Sequence, residues 1–240
     1  MIALRLLPVL AALAAAAVVA SGFGARYGVW DWRAGFAILR WATWVAAGVA
    51  ALALVALLVP RLRARAPLGL VVALLFAGGA AAVPLHRLQQ ARTLPPINDI
   101  TTDPANPPAF VAILPLRAGA PVPSAYPGEA AANAQRAAYP DVAPIVVAQA
   151  PTAAFDAALA AARAMGWTIV AADAAAGRIE ATATTPWFGF RDDVVIRVAP
   201  DARGSRIDVR SVSRVGRSDL GANARRVREY AATVAGTPSR

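Results

Sequence analysis

Three arginines, Arg210, Arg214 and Arg217, surround Gly216, and Asp219 and Asn223 follow at the point where a helix should begin. Guanidinium forks beside the free N–H groups of a helix start are competent to hold an anion such as a phosphate or a carboxylate. The chain also carries its own anions for such a place in Asp99, Asp103, Asp192 and Asp193. The cluster therefore reads either as internal pairing or as a site for an external ligand. Thr101 and Thr102 lie between the first two of these acids, in a run whose side chains form Asx- and ST-turns. Paired carboxylates can also share general acid and base roles. Asp192 and Asp193 are adjacent, so on a strand they point to opposite faces and cannot form a dyad together. Either could form one with Asp99 or Asp103.

Other chemistries have no residues to carry them. Cysteine is absent and His86 is the single histidine, which removes disulfides, thiolate nucleophiles, Cys-ligated zinc and a His-based triad in the C-terminal part. We expect no catalytic residue, no metal and no cofactor.

The elements that must position these groups begin with a membrane anchor. Uncharged apolar runs extend from Leu6 to Ala25, Trp41 to Pro60 and Pro67 to Leu85, each about the ~20 residues a helix needs to cross a hydrocarbon core. They predict spans at about 4–25, 36–60 and 67–86. The first run also fits a cleaved signal segment, with Val18-Val19-Ala20 as its small-residue site. Arg61, Arg63 and Arg65 lie between the second and third runs with no acid among them, which assigns that link to the cytoplasm. The loop from Ser21 to Arg33, and everything after the third span, then lies outside. Trp30, Trp32, Trp41 and Trp44 read as an interfacial aromatic belt.

The net charge of +10 divides unevenly. Residues 1–85 hold seven Arg against Asp31, and residues 86–240 hold 17 Arg against 13 acids. More than half of the excess thus reports topology, and no nucleic-acid partner is expected.

Beyond the anchor (1–88), residues 89–150 are a Pro/Ala-rich segment expected to pack on the domain, with a short helix around Glu129 to Ala138. Residues 151–235 form the patterned domain, and 236–240 a flexible tail. A helix is predicted over Thr152–Met165, with strands over Trp167–Asp173, Arg178–Thr185, Asp193–Ala199 and Ser205–Arg214. A last helix, capped by Ser218 or Asp219, runs to Val234. Alternation gives one face Ile179, Ala181, Ala183, Val194, Ile196, Val198, Ile207 and Val209. The other receives Glu180, Thr182, Arg197, Arg206, Asp208 and Arg210. The expected class is α+β: a three-helix transmembrane anchor, then an α-β-β-β-β-α two-layer domain with a four-stranded antiparallel sheet and both helices on its apolar face. The charged face is expected to carry exposed cross-strand pairs, which stabilise little.

Three stretches taken together resemble the bacterial membrane-associated family labelled domain of unknown function 1499. They are Asp99-Ile100-Thr101-Thr102-Asp103-Pro104, the run from Trp187 to Val198, and the run from Asp208 to Ala224. The resemblance covers about residues 95–235, implies one domain and supplies no catalytic residues. The expected address is the bacterial inner membrane with the C-terminal domain on the periplasmic side. The expected role is a non-catalytic module binding an envelope protein, a lipid headgroup or a cell-wall polymer. The alternatives are a carrier of a hydrophobic or lipid ligand and a carboxylate-based envelope hydrolase.

Overall fold

The computed structural model describes residues 2–236 and divides into two compact units. One ends at Arg92 and takes in Pro186–Gly189; the other comprises Thr93–Thr185 and the chain from Phe190 on. Apart from Gly236, the expected tail lies outside the described residues.

The first unit is built from α1 (Ile2–Arg26), α2 (Trp32–Leu58), the single turn α3 (Pro60–Arg63) and α4 (Pro67–Thr93). Three of these helices are long and apolar enough to cross a membrane. Their mutual seam is made largely of alanine: Ala11 and Ala14 on α1, Ala46, Ala53 and Ala56 on α2, Ala73, Ala77 and Ala81 on α4. Small side chains let the backbones approach closely. The large side chains, among them Leu13, Leu52, Leu75, Phe76, Trp41 and Trp44, face outward, as expected of surfaces solvated by lipid. Helix α2 starts at Trp32, four residues before its expected start, because the Asp31 carboxylate accepts the N–H groups of Arg33 and Ala34 at 2.7 and 3.2 Å. Helix α4 likewise continues through Pro84 to Thr93 instead of stopping near His86.

Within the same unit, the Trp187 indole N–H donates to the Val19 carbonyl at 3.0 Å and Arg26 donates to the Pro186 carbonyl at 2.7 Å. Phe188 stacks on Phe36 with ring centroids 4.8 Å apart. Gly22 and Gly35 make room here: a Cβ on the first would overlap the Trp187 ring, and on the second the Ser21 carbonyl.

The second unit holds a six-stranded antiparallel sheet, two strands more than expected. The predicted strands are β3 (Thr168–Asp173), β4 (Arg178–Thr184), β5 (Arg191–Asp201) and β6 (Gly204–Ser213), and the additional ones are β1 (Asp99–Thr101) and β2 (Ile145–Val147). Both short strands lie on the free edge of β6, β1 against Arg210–Val212 and β2 against Ser205–Ile207. They cover an edge that would otherwise present unpaired backbone groups. Helix α5 (Glu129–Ala138) closes β1 in turn. The buried Gln135 amide donates to the Thr101 carbonyl at 2.6 Å and accepts the Thr101 N–H at 3.0 Å, taking the place of a neighbouring strand.

Helices α6 (Pro151–Ala164) and α7 (Ala222–Val234) pack on the apolar face. The core there joins Ile179, Ala181, Val194, Ile196, Ile207 and Val209 to Ala154, Ala158, Ala162, Val227 and Tyr230. Trp167 stacks on Tyr230 at 5.2 Å, and the Tyr230 hydroxyl donates to the Ala158 carbonyl, tying α7 to α6.

The other face departs from expectation. Instead of an exposed ladder it is roofed by the Pro-rich segment after β1, so the two-layer description omits a third, irregular layer. Phe110 and Ile113 of that segment bury against Val195 and Val212, with Val122 and Val170 beside them.

Candidate functional site

The polar residues of the roofed face lie in separate ion-pair groups, each closed by the segment above it. At the first, the Asp193 carboxylate receives both Nε and Nη2 of Arg214 at 2.8 Å, the Thr182 hydroxyl at 2.8 Å and Arg117 Nη1 at 2.7 Å. Arg117 belongs to the 3-10 turn Leu114–Arg117 and also donates to the carbonyls of Val122 and Ser213. Burial pushes the Asp193 carboxyl up, but the donors from Arg214, Thr182 and Arg117 outweigh it and hold the group below its ordinary value.

Arg210 grips Asp99 bidentately, at 3.0 and 2.7 Å. Its remaining N–H groups reach the carbonyls of Pro108 and Ser124, and its guanidinium lies over the rings of Phe110 and Tyr126. Burial raises the Asp99 carboxyl despite this partner. The contrast with Asp193 follows from donor number: one arginine against two arginines and a hydroxyl.

Asp103 belongs elsewhere. Its Oδ2 accepts from Arg197 at 3.0 Å and from Arg206 at 2.8 Å, and both arginines also hold Asp208. Thr102 Oγ1 accepts the Val209 N–H beside them, and Thr101 Oγ1 accepts the Asp103 N–H.

Glu180, fully buried on β4, completes this face. Its two oxygens accept the N–H groups of Val111, Ala112 and Ile113 at 2.9, 3.0 and 2.9 Å, and Arg178 Nε lies 3.2 Å away. A backbone concavity able to hold an anion is thus occupied by a carboxylate of the same chain.

Asp192 points the opposite way, as alternation requires. Arg226 of α7 donates to it at 2.6 Å and also to Ser211 Oγ, while Ser211 donates to Asn223 Oδ1 at 2.6 Å. The Asn223 amide reaches Ser213 Oγ and the Asn98 carbonyl, and Asn98 in turn donates to the Gly216 carbonyl. The start of α7 differs from the prediction: Gly221, in the left-handed region, is the N-cap, and the helix begins at Ala222. Asp219 still serves it, accepting the N–H groups of Gly221 and Asn223 at 2.8 and 2.7 Å. Burial raises the Asp219 carboxyl against those two donors.

The structure therefore distributes the expected cluster over both faces of the sheet. Arg210 and Arg214 share the roofed face with Asp99 and Asp193, each with its own carboxylate. Asp192, Asn223 and Asp219 collect on the helix side. Arg217 is exposed and makes no ion pair or hydrogen bond among the described residues. The anions that fill the arginine forks are internal ones, and β1 is clamped to β6 as a result. Sequence reasoning missed Arg117 and Arg226, which complete the Asp193 and Asp192 groups. Arg117 had a signal, because it is the one charged residue between Asp103 and Glu129. Among the described residues no group of three or more His, Cys, Asp or Glu side chains could hold a metal ion.

The family described as Protein of unknown function (DUF1499) matches residues 99–234. That span opens at the Arg210 partner, Asp99, and closes at the end of α7. No curated protein and no solved structure matches the chain significantly.

Proposed function

The chain belongs to the DUF1499 family, whose function is unknown, and we propose that it is an integral protein of the bacterial inner membrane whose second unit faces the periplasm as a non-catalytic binding or scaffolding module. The observation that carries this reading is the internal pairing of the buried carboxylates. Asp99, Asp192, Asp193, Asp208 and Glu180 are all buried, and each is held by at least one arginine. A carboxylate locked in this way lacks the access to a substrate that general acid or base work demands. A fork already filled by a carboxylate has no room for a phosphate. Binding is then left to the outer surface.

Sidedness rests on Arg61, Arg63 and Arg65, which crowd the short link between α2 and α4 without a compensating acid. The native chain has no cysteine, so single replacements report it directly. With an impermeant maleimide on intact cells, Glu229→Cys should label and Ala64→Cys should label only after lysis. The reverse pattern overturns the orientation. For the role itself, the purified full chain is assayed against envelope esters, peptides and glycans. Turnover abolished by Asp193→Asn would overturn the non-catalytic reading, and photo-crosslinked envelope partners would support it.

A further inference from the structure

Between Asp103 and Glu129 the chain carries one charged residue, Arg117, and its guanidinium is turned inward onto Asp193 with 3% of the side chain exposed. What this segment presents outward is apolar. Val111, Leu114 and Leu116 are 51%, 44% and 53% exposed, and Ala109, Pro115 and Ala118 are exposed beside them. The three large side chains are not on a loose loop. Their turn is fixed from below by the three N–H bonds to Glu180, and from within by the N–H groups of Leu116 and Arg117 on the Ile113 carbonyl. Ile113 and Phe110 anchor it in the small core above the sheet.

We propose that this turn is an interfacial membrane contact, in which Val111, Leu114 and Leu116 enter the edge of the lipid bilayer that holds the spans. The proposal rests on the membrane-anchored reading and extends it to the face by which the second unit works. Three features favour lipid as the occupant. First, the segment has no free charge to desolvate, which is the main obstacle to entering a bilayer. A protein interface would normally carry a polar, solvent-accessible rim, and residues 104–128 expose no charged side chain for one.

Second, lipid is close along the chain. Helix α4 ends at Thr93 and β1 begins at Asp99, and the five residues between reach at most about 20 Å. Asp193, which fixes Arg117, follows only four residues after Gly189, and Gly189 belongs to the unit of the spanning helices. Third, a tethered contact needs little intrinsic affinity, because the anchor holds the apolar turn at high effective concentration near the bilayer. Leucine and valine side chains on a rigid turn lose little conformational freedom when they leave water, and gain the transfer of their apolar surface.

The test uses the full chain in nanodiscs of phosphatidylethanolamine and phosphatidylglycerol. Leu114→Cys, Leu52→Cys and Glu229→Cys each carry one environment-sensitive fluorophore, with Leu116→Cys as a second probe of the turn, and each variant is checked for an unchanged melting temperature. Nitroxide on the upper acyl chain should quench the label at 114 and at 116 at least about threefold more than the label at 229, consistent with insertion of an apolar face into the headgroup–acyl boundary. Quenching at 52 with none at 114 and 116 overturns this inference and leaves the anchor standing. No quenching at 52 means that the anchor reading itself has failed. A label at 114 shielded from aqueous iodide yet untouched by the nitroxide lipid means that a second copy covers the turn, and overturns lipid as the occupant.

Discussion

Arg117 in the 3-10 turn and Asp193 on β5 meet at 2.7 Å with both side chains buried, although 76 residues separate them along the chain. This bond fastens the Pro-rich roof to the sheet, and Arg214, one residue past the end of β6, holds the same carboxylate. Removing the carboxylate leaves two guanidinium groups without compensation, whereas removing Arg117 leaves Asp193 still gripped by Arg214 and Thr182. Asp193→Ala should therefore destabilise the fold by about 3–5 kcal/mol, and Arg117→Ala by less. Denaturant unfolding of the full chain in detergent measures both, and equal losses would contradict the asymmetry.

Acid stability should separate two carboxylates of opposite sign. The folded Asp193 carboxyl lies below its ordinary value of 3.8, so its contribution is complete above that value and is lost as pH falls through the folded one. The folded Asp219 carboxyl lies above 3.8, so its contribution is complete below that value and is lost as pH rises through the folded one. In melting curves recorded between about pH 3 and pH 7, Asp193→Asn should flatten the loss at the acid end. Asp219→Asn should remove a gain that wild type shows on mild acidification. Parallel curves for wild type and both variants would contradict the assignment.

Glu180 is the sole side-chain acceptor for three consecutive N–H groups at the start of the roof turn. Amide hydrogen exchange at Val111, Ala112 and Ile113 should accelerate sharply in Glu180→Ala. In Glu180→Gln the amide keeps one acceptor oxygen, so the acceleration should be smaller. Unchanged protection in Glu180→Ala would mean that the turn is held by something else.

Gln135 substitutes for a strand beside Thr101, bonding both its N–H and its carbonyl. Gln135→Ala should cost about 1–3 kcal/mol per orphaned backbone group and expose the Thr101 amide to exchange. Loss of less than about 1 kcal/mol would show that water replaces the side chain without penalty.

What the sequence revealed and what it concealed divide along physical lines. Strands β4, β5 and β6 were legible because alternation runs through them without interruption, from Ile179-Glu180-Ala181 to Ile207-Asp208-Val209. The spans were legible from length and hydropathy. Strands β1 and β2 are three residues each, too short for any period to register, and they exist because β6 offers a long unpaired edge. The roof was concealed for a related reason. Residues 103–126 have no periodicity, so nothing local says that they will cover a charged face. Once they do, pairs expected to be exposed and weak become buried and structurally decisive. Asp99 and Arg210 were both visible as candidates, but their partnership depends on β1 docking at Val212, a long-range register that no local pattern encodes. Arg226 sits on a helix whose other arginines, Arg225 and Arg228, are exposed, so only the position of Asp192 singles it out.

The central claim is that the arginine forks of this domain are filled by the chain's own carboxylates. A double-mutant cycle on Asp99 and Arg210, read by unfolding free energy, tests it most directly. The account predicts that each alanine substitution alone costs about 3–5 kcal/mol, and that the double variant loses clearly less than the sum. If Arg210→Ala unfolds like wild type, the guanidinium is free for an external ligand and the account is wrong.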